Sequence, residues 1–454
     1  MTERSAAGMP RGPFAAAVAA ARARGELVVQ PRMGFGDPAT MRAGLDAVAR
    51  ARAATAATVT LDSYTRVGDH AAARRALADG SPLNGYPIVD HPPEVTRWVL
   101  AAAHRHDVPV QVRHGSARPE QIFAALLRTG VDATEGGPVS YCLPYSRVPL
   151  RDAVDSWARC CAGYTRLRDL GVEPHLESFG GCLLGQLCPP SLLLAVAVLE
   201  GMFFRQHGLR SVSLSYAQQT SPEQDEEALA ALRRLIDELL PDLDSHVVLY
   251  TYMGVYPRTT EGALRLLGTA ARLAVRGGAA RLIVKTPAEA HRIPTVEENV
   301  AALEHAARVA AVEQPAPAEV PDTGIYAEAR TLIEAVLELS EDVGVALRRA
   351  FARGYLDIPY CLHPDNAGQA RGYISDRGRL AWSRAGRMPV TVDRSAAGRP
   401  VEMTSDGLLA ALSYVAGRYD SVPPPVVGPG PTTALPATEF IRQRAQERSY
   451  HDRP

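Results

Sequence analysis

Four short segments of this 454-residue chain end in residues suited to gripping a small charged molecule. They read Gln30-Pro31-Arg32-Met33-Gly34, Asp62-Ser63-Tyr64-Thr65-Arg66, Arg113-His114-Gly115 and Thr134-Glu135-Gly136-Gly137. An Arg guanidinium is a planar fork that holds a carboxylate through two parallel hydrogen bonds. A carboxylate such as Glu135 suits an ammonium group. Two carboxylates and one amine describe an acidic amino acid such as glutamate. Two tyrosines follow in Ser140-Tyr141-Cys142-Leu143-Pro144-Tyr145 and offer hydroxyls, with packing at a rim as their plainer role. Lys285 is the only Lys among 49 Lys and Arg residues. The abundance of Arg follows the general Ala and Arg richness of the chain and says little, but a compact ammonium is not interchangeable with a guanidinium. A single Lys in Leu282-Ile283-Val284-Lys285-Thr286 therefore reads as functional. Glu289 has an ordinary explanation beside any functional one: Thr286, Pro287 and Glu289 make a helix-capping box.

These segments close β-branched runs that alternate with helical stretches. The runs cover residues 27–32, 58–63, 86–90, 108–114, 131–136, 175–180, 211–217, 246–253 and 281–286. Between them, residues 221–240 show how the helices are written. Ser221 is a natural N-cap, Pro222 suits the first helical position, and Asp225 to Glu227 favour the positive end of the dipole. Leu229, Leu232, Leu235, Ile236, Leu239 and Leu240 recur at helical spacing. Strands alternating with helices predict a parallel sheet covered by helices. Nine runs suit an eight-stranded (β/α)8 TIM-type barrel with one run too many, and 86–90, bracketed by Pro87 and Pro92, is the weakest. In such a barrel the strand ends converge on one mouth, so Arg32, Arg66, Arg113 and Glu135 would face one cavity. A doubly wound open sheet is the competing architecture.

The remaining organisation follows from composition. Residues 1–24 read as a flexible N-terminus and 25–312 as the catalytic barrel, closed by a helix at 296–312. Residues 313–324, with three prolines, read as a linker. A smaller helical and irregular C-terminal region at 325–421 is expected to pack on the barrel, with helical pattern over 325–354 and weak strand character up to 399. Residues 422–454 read as a Pro-rich mobile tail with a short helix at 438–449. A net charge of −1 argues against nucleic acid as a partner. No window approaches the ~18 uncharged apolar residues of a membrane span, and the first residues carry no secretory pattern, so a cytoplasmic protein is expected. Cys142, Cys160, Cys161, Cys182, Cys188 and Cys361 form no C-x-x-C pair or regular spacing, and no metal site is expected from them.

Other motifs compete. Gly34-Phe35-Gly36-Asp37-Pro38-Ala39 matches G-x-G-x-x-A after a strand and before a helix, and Asp62 could serve a ribose. That would make the chain an NAD(P)-dependent oxidoreductase, yet it leaves the strand-end Arg set unexplained. His104-Arg105-His106 has the form of a metal H-x-H but ends a helix.

The strand-end residues resemble the large (epsilon) subunit of the adenosylcobalamin-dependent glutamate mutase, or methylaspartate mutase, family. The landmarks are QPR-x-G at 30–34, SYTR at 63–66, LNGYP at 83–87, VRHG at 112–115, TEGG-x-x-SY-x-x-PY at 134–145, MG-x-YP at 253–257, IVKTP-x-EA-x-x-IPT at 283–295, LDIP at 356–359 and NAG at 366–368. The resemblance implies a barrel enzyme, an isomerase interconverting L-glutamate and threo-3-methyl-L-aspartate by radical chemistry. A related mutase with a shifted amino-acid substrate is the nearest alternative. It also implies site residues. Arg32, Arg66 and Arg113 would grip the substrate carboxylates with His114, Tyr141 and Tyr145 assisting, and Glu135 would hold or partly deprotonate the amine. Gly34, Asn84, Pro144, Tyr256, Lys285, Glu289 and Ile293 would line adenosylcobalamin, with Lys285 and Glu289 at ribose hydroxyls. The family's cobalt-ligating Asp-x-His-x-x-Gly motif is absent; Asp244-Ser245-His246 lacks the Gly. A separate small cobalamin-binding subunit is therefore implied, in a heterotetramer of two large and two small chains. The chain departs from the family around 250–252, where a His is expected, and at Ala217-Gln218-Gln219-Thr220, where a Gly-rich segment is expected.

Overall fold

The computed structural model describes residues 11–179, 187–316, 320–392 and 404–421. Eight short strands form one parallel sheet: β1 (Val28–Gln30), β2 (Ala57–Thr60), β3 (Val110–Arg113), β4 (Ala133–Glu135), β5 (His175–Ser178), β6 (Ser211–Ala217), β7 (Asp244–Tyr250) and β8 (Arg281–Ile283). Neighbours in sequence are neighbours in space, and β8 pairs with β1. A bridge between Val29 and Thr55 brings the β1 and β2 edges together, so the sheet is a nearly closed (β/α)8 barrel. The open-sheet alternative is excluded by that β1–β8 pairing.

The run at 86–90 is not a barrel strand. Tyr86 makes a single parallel bridge with Leu61, and a turn follows at residues 88–90. Pro87 has no N–H to donate to a ladder, and the next helix, Pro93–His104, begins almost at once. The chain's early residues also differ from expectation. Instead of a flexible stretch, Pro13–Ala23 is a helix built from Ala-rich sequence of high propensity. Phe14 is fully buried, stacks on His175 with 5.3 Å between ring centroids, and donates its N–H to Asp132 at 2.8 Å. The helix thus plugs the N-terminal end of the barrel. Residues 1–10 and 422–454, including the proposed tail and its helix, lie outside the described residues.

The C-terminal region explains an oddity of the barrel. Helix Pro190–Gln206 is apolar around its whole circumference, and every residue from Pro190 to Phe204 is buried. One face rests on β5 and β6, while helices Ile325–Leu337 and Val343–Arg353 cover its outer side. A helix with no polar face needs cover on both sides. The helical pattern of 325–354 breaks in two because Asp342 caps a new start, accepting the Val345 N–H at 2.7 Å. Beyond it lie an antiparallel hairpin, β9 (Arg371–Ile374) and β10 (Leu380–Arg384), and a last described helix, Ser405–Ser421.

Candidate functional site

The barrel interior carries a column of charge. Arg113 closes β3 and Glu135 closes β4; Arg113 Nε donates to Glu135 at 2.7 Å, and both side chains are at most 5% exposed. Burial opposes the Arg113 charge, but Glu135 and the neighbouring phenols outweigh it and hold its pKa above the usual value. Tyr141 donates to the other Glu135 oxygen. Tyr250, at the end of β7, donates to Glu135 at 2.7 Å and also reaches Glu177 of β5. Burial, with Glu135 next, pushes both phenols well above the usual tyrosine value, so both stay protonated. Below them Glu177 pairs with Arg281, and both side chains are fully buried. Gln111 and Ser213 donate to the same Glu177 oxygen at 3.2 and 3.3 Å. Two cations thus balance two anions along the axis.

The loop after β4 is shaped for this arrangement. Gly136 has φ of 122°, and a Cβ there would collide with the rings of Tyr141 and Trp157. The loop is held from outside by Glu200, the one carboxylate of the apolar helix Pro190–Gln206. Its Oε1 accepts the N–H groups of Val139 and Ser140 at 2.9 Å each, and its Oε2 accepts the Ser140 hydroxyl at 2.9 Å. His114 sits beside the loop, stacked on Trp157 at 5.7 Å. Its Nδ1 accepts the Ser116 N–H at 3.0 Å, which leaves the proton on Nε2. Burial first, and Arg66 and Arg113 after it, lower its pKa to about 3, so it is a neutral donor. Its buried Nε2 faces the Glu135 backbone without a hydrogen bond of full geometry.

The mouth is less complete. Arg66 lies in a short helix, Ser63–Val67, that Asp62 caps by accepting from Tyr64 and Thr65 at 2.9 and 3.0 Å. Arg32 follows β1 and pairs with Glu289 at 2.7 Å. The Nε atoms of both arginines are buried without a hydrogen-bond partner, a state that costs free energy until something fills it. Arg66, Pro144 and Tyr145 line a cleft of about 1130 Å³. Arg32, Gly34, Asn84, Glu289 and Ile293 line a second of about 470 Å³. Gly34 crosses so close to β2 that a Cβ would strike the Thr60 carbonyl. Asn84 accepts the Ser63 N–H at 2.9 Å and so ties that wall to the Arg66 helix. Lys285 is buried, with Nζ 4.2 Å from the centroid of the Tyr256 ring. The Tyr256 hydroxyl is buried and unpartnered.

The strand-end residues therefore converge on one end of the barrel but not in one open cavity. Arg113, His114, Glu135 and Tyr141 are enclosed, while Arg32 and Arg66 stand at separate clefts. Glu289 makes one half of the capping contact, accepting the Thr286 N–H at 3.1 Å, and its other oxygen serves Arg32. Glu177, Arg281 and Glu200 were not singled out in the sequence, and Tyr250 stood out only as part of the departure at 250–252. Glu177 carried the same signal as Glu135, an acid ending a β-rich run, and the two are register partners on adjacent strands. Glu200 was marked by being a lone carboxylate between Leu192 and Phe204. The competing motifs have local roles. Asp37 caps helix Pro38–Ala49 and Asp62 caps the Arg66 helix, so both acids have local roles. His106 pairs with Asp46 on the surface. His246 is half-buried and accepts from Arg281 at 2.9 Å. Among the described residues no helix is long and apolar enough to cross a membrane.

Comparison with known proteins gives one answer. Residues 10–399 match the family model described as Methylaspartate mutase E chain (MutE). A glutamate mutase epsilon subunit of Halobacterium salinarum is 36% identical over 343 residues, covering 72% of this chain and 71% of that protein. One from Desulfitobacterium hafniense is 31% identical, with 73% and 71% covered, and one from Escherichia coli O157:H7 is 30% identical, with 74% and 72% covered.

Proposed function

The chain belongs to the methylaspartate mutase E chain family, and from that we propose that it is the large subunit of a glutamate mutase, an isomerase interconverting L-glutamate and threo-3-methyl-L-aspartate. The observation that carries the substrate class is the buried Arg113–Glu135 pair, with the neutral imidazole of His114 beside it and two further arginines at the clefts of the mouth. Glutamate has both charges at its α-carbon. Its α-carboxylate can take Arg113 from Glu135, and its ammonium can take Glu135 from Arg113, so the buried charges stay balanced throughout. The distal carboxylate then meets an Arg fork at the mouth, where the Nε groups of Arg32 and Arg66 lack partners. His114 adds a neutral N–H, which binds a carboxylate without further charge. Tyr141 keeps Glu135 oriented, and Tyr145, half exposed, closes over the entrance. Fixing both ends of the carbon skeleton holds reacting fragments within recombining distance.

The cofactor implied is adenosylcobalamin, which supplies a carbon radical by homolysis of its cobalt–carbon bond. The residues at the second cleft fit it. Gly34 gives a flat wall, Asn84 and Ile293 flank it, and Pro144 bounds the other side of the mouth. Lys285 and Glu289 can meet ribose hydroxyls, and the orphaned Tyr256 hydroxyl is a further donor on that wall. His246 lies at the opposite part of β7, its Nε2 taken by Arg281, so a cobalt-ligating His is expected from a partner. The rim supports one. Tyr64, Val67, Tyr145, Val255, Ile293 and Leu362 are all at least 41% exposed, and they stand on the Ser63–Val67 helix, on loops at the mouth or on the C-terminal region beside it. An apolar rim around a polar mouth suits a docked protein. We assign that partner as a small cobalamin-binding subunit, two copies joining two of this chain.

Reconstitution tests the whole reading. This chain, a small cobalamin-binding subunit, adenosylcobalamin and L-glutamate should yield 3-methylaspartate, and omitting the small subunit should abolish it. Turnover without the partner would refute the assembly. Absence of product with glutamate, but turnover of another amino acid, would assign the chain to a related mutase.

A further inference from the structure

Tyr250 stands where no substrate or cofactor role has been placed, yet it links two buried carboxylates. Its Oη is 2.7 Å from Glu135 and hydrogen-bonded to Glu177, with Arg113 Nη2 at 3.5 Å. A phenol has one proton, so it can serve only one of two carboxylates fully at a time. Glu177 is the fixed member. Arg281, Gln111 and Ser213 hold its Oε2 from below, and Arg281 is in turn held by Gln30 at 2.5 Å and His246 at 2.9 Å. Glu135 is the variable member, because its Oε2 is shared between Arg113 and Tyr250. The ring of Tyr250 packs edge-on against Phe179, 5.0 Å between centroids, so the hydroxyl has little freedom to follow a moving partner.

We propose that Tyr250 is a positioning residue for amine recognition: it carries the fixed place of Glu177 to Glu135, so that Glu135 keeps its position when Arg113 leaves it for the substrate. This rests on the reading of Glu135 as the ammonium acceptor. During binding, Glu135 gives up a cation and must receive another at the same spot. Tyr141 holds one oxygen from the loop after β4; Tyr250 holds the other from the barrel wall. Without the Tyr250 hydroxyl, the vacated oxygen loses its remaining tie and faces Glu177 with no proton between them. The consequence is selective. A dicarboxylate without an amine brings no cation to replace Arg113 at Glu135, so that buried pair stays closed, the ligand is held by the arginines of the mouth, and the loss of the hydroxyl should not be felt.

The test compares L-glutamate with glutarate on the reconstituted holoenzyme, reading KM for the first and the competitive inhibition constant for the second. Tyr250→Phe should raise the glutamate KM about tenfold, the worth of ~1.4 kcal/mol for one buried hydrogen bond to a charged group. The glutarate constant should move less than about threefold, ~0.6 kcal/mol on the same scale. Equal weakening of both ligands would overturn the inference, since the hydroxyl would then only shape the pocket; no change in either would overturn it too. Phe179→Leu keeps every charge of the column and serves if the Phe variant does not fold. It loosens the ring that fixes the Tyr250 hydroxyl, so the glutamate KM should rise while the glutarate constant stays within about threefold, and equal weakening or no change in either would contradict the proposal. Wild-type holoenzyme that binds glutarate as well as glutamate would instead refute the role of Glu135 itself, before any variant is made.

Discussion

The axis of the barrel and its mouth use the same residue types to opposite ends. Along the axis, Arg113, Glu135, Tyr250, Glu177 and Arg281 are almost completely buried, and each charge meets an opposite one. At the mouth, Arg32 and Arg66 are only partly covered and each keeps an unpartnered Nε. Burying a charge is costly unless it is paired, so the axis had to be satisfied by the fold itself. The mouth could be left short of partners because solvent is near. Unsatisfied donors at the mouth and balanced charges beneath it are what a receptor for a charged ligand requires: affinity where the ligand enters, rigidity where it is read.

The comparison breaks most visibly if stability does not follow it. Arg281→Met keeps the length of the side chain but leaves Glu177 in the core without its cation. Removing one partner of a buried pair typically costs about 3–5 kcal/mol, and chemical denaturation should show a loss of that size. Arg66→Met, at the mouth, should leave unfolding within about 0.5 kcal/mol of wild type. Equal losses in the two variants would erase the distinction between axis and mouth.

Activity should invert that order. Arg66→Lys preserves charge but replaces a planar fork with a point, at a site whose Nε awaits a partner. Losing one charge-assisted hydrogen bond is worth about 1.5–3 kcal/mol, so kcat/KM for glutamate should fall by roughly ten- to a hundredfold while unfolding is unchanged. Arg113→Lys should lower activity at least as far, since it disturbs Glu135 as well. Near-normal turnover in both would remove the carboxylate clamp from the account.

How much of this was visible beforehand follows from where each signal lay. The strands that end in Arg113 and Glu135, and the one that Arg32 follows, were legible because β-branched runs stop abruptly at charged residues. Residues 86–90 looked similar in composition, but Pro87 cannot donate to a ladder, and only one bridge formed. The plug helix Pro13–Ala23 was missed because its stripe of Phe14, Val18 and Ala21 is set among alanines that are nearly as apolar on every other face. The polar column was missed for a different reason. Its members are scattered over β5, β7 and β8, and only the closed barrel brings Glu177, Tyr250 and Arg281 to one axis. Clusters made by long-range closure leave no local spacing to read.

Glu200 connects the two regions, because it pins the loop that carries Tyr141 and Tyr145 to a helix of the core. Burial lifts its carboxyl to about 7, against the downward pull of the Ser140, Val139 and Phe179 donors. The unfolded chain loses this proton near the ordinary value of 4.5. Between those values the folded chain binds more protons than the unfolded one, so stability falls as pH rises through that window, and the unfavourable term is complete above about 7. Glu200→Gln has no proton to exchange and can still accept from the loop. Its stability should be flatter than wild type from pH 5 to about pH 8, by about 1–3 kcal/mol across the range. Parallel pH profiles for the two proteins would show that Glu200 does not hold the loop as a titrating group.

The smallest expected effect lies at the rim. Helix Ser405–Ser421, beyond the span matched by the family model, reaches back to the loop that follows β7. Asp420 accepts the N–H groups of Arg258 and Thr259 at 2.9 and 3.0 Å and the Thr259 hydroxyl at 2.6 Å, at the start of helix Thr260–Arg276. Val415 packs in the same apolar cluster as Tyr252 and Tyr256, with Tyr414 and Tyr419 beside it. The helix therefore braces Tyr256, whose ring lies under Lys285, from behind. Losing a carboxylate cap costs about 1 kcal/mol, which in a chain this size moves the melting temperature by no more than about 2–4 °C. If the brace serves the mouth, Asp420→Ala should weaken adenosylcobalamin binding about fivefold in the reconstituted complex, the equivalent of that same cost, with the glutamate KM unchanged at saturating cofactor. A melting shift without any loss of cofactor affinity would make the helix part of the fold alone, and the mouth would then end at the loops of the barrel.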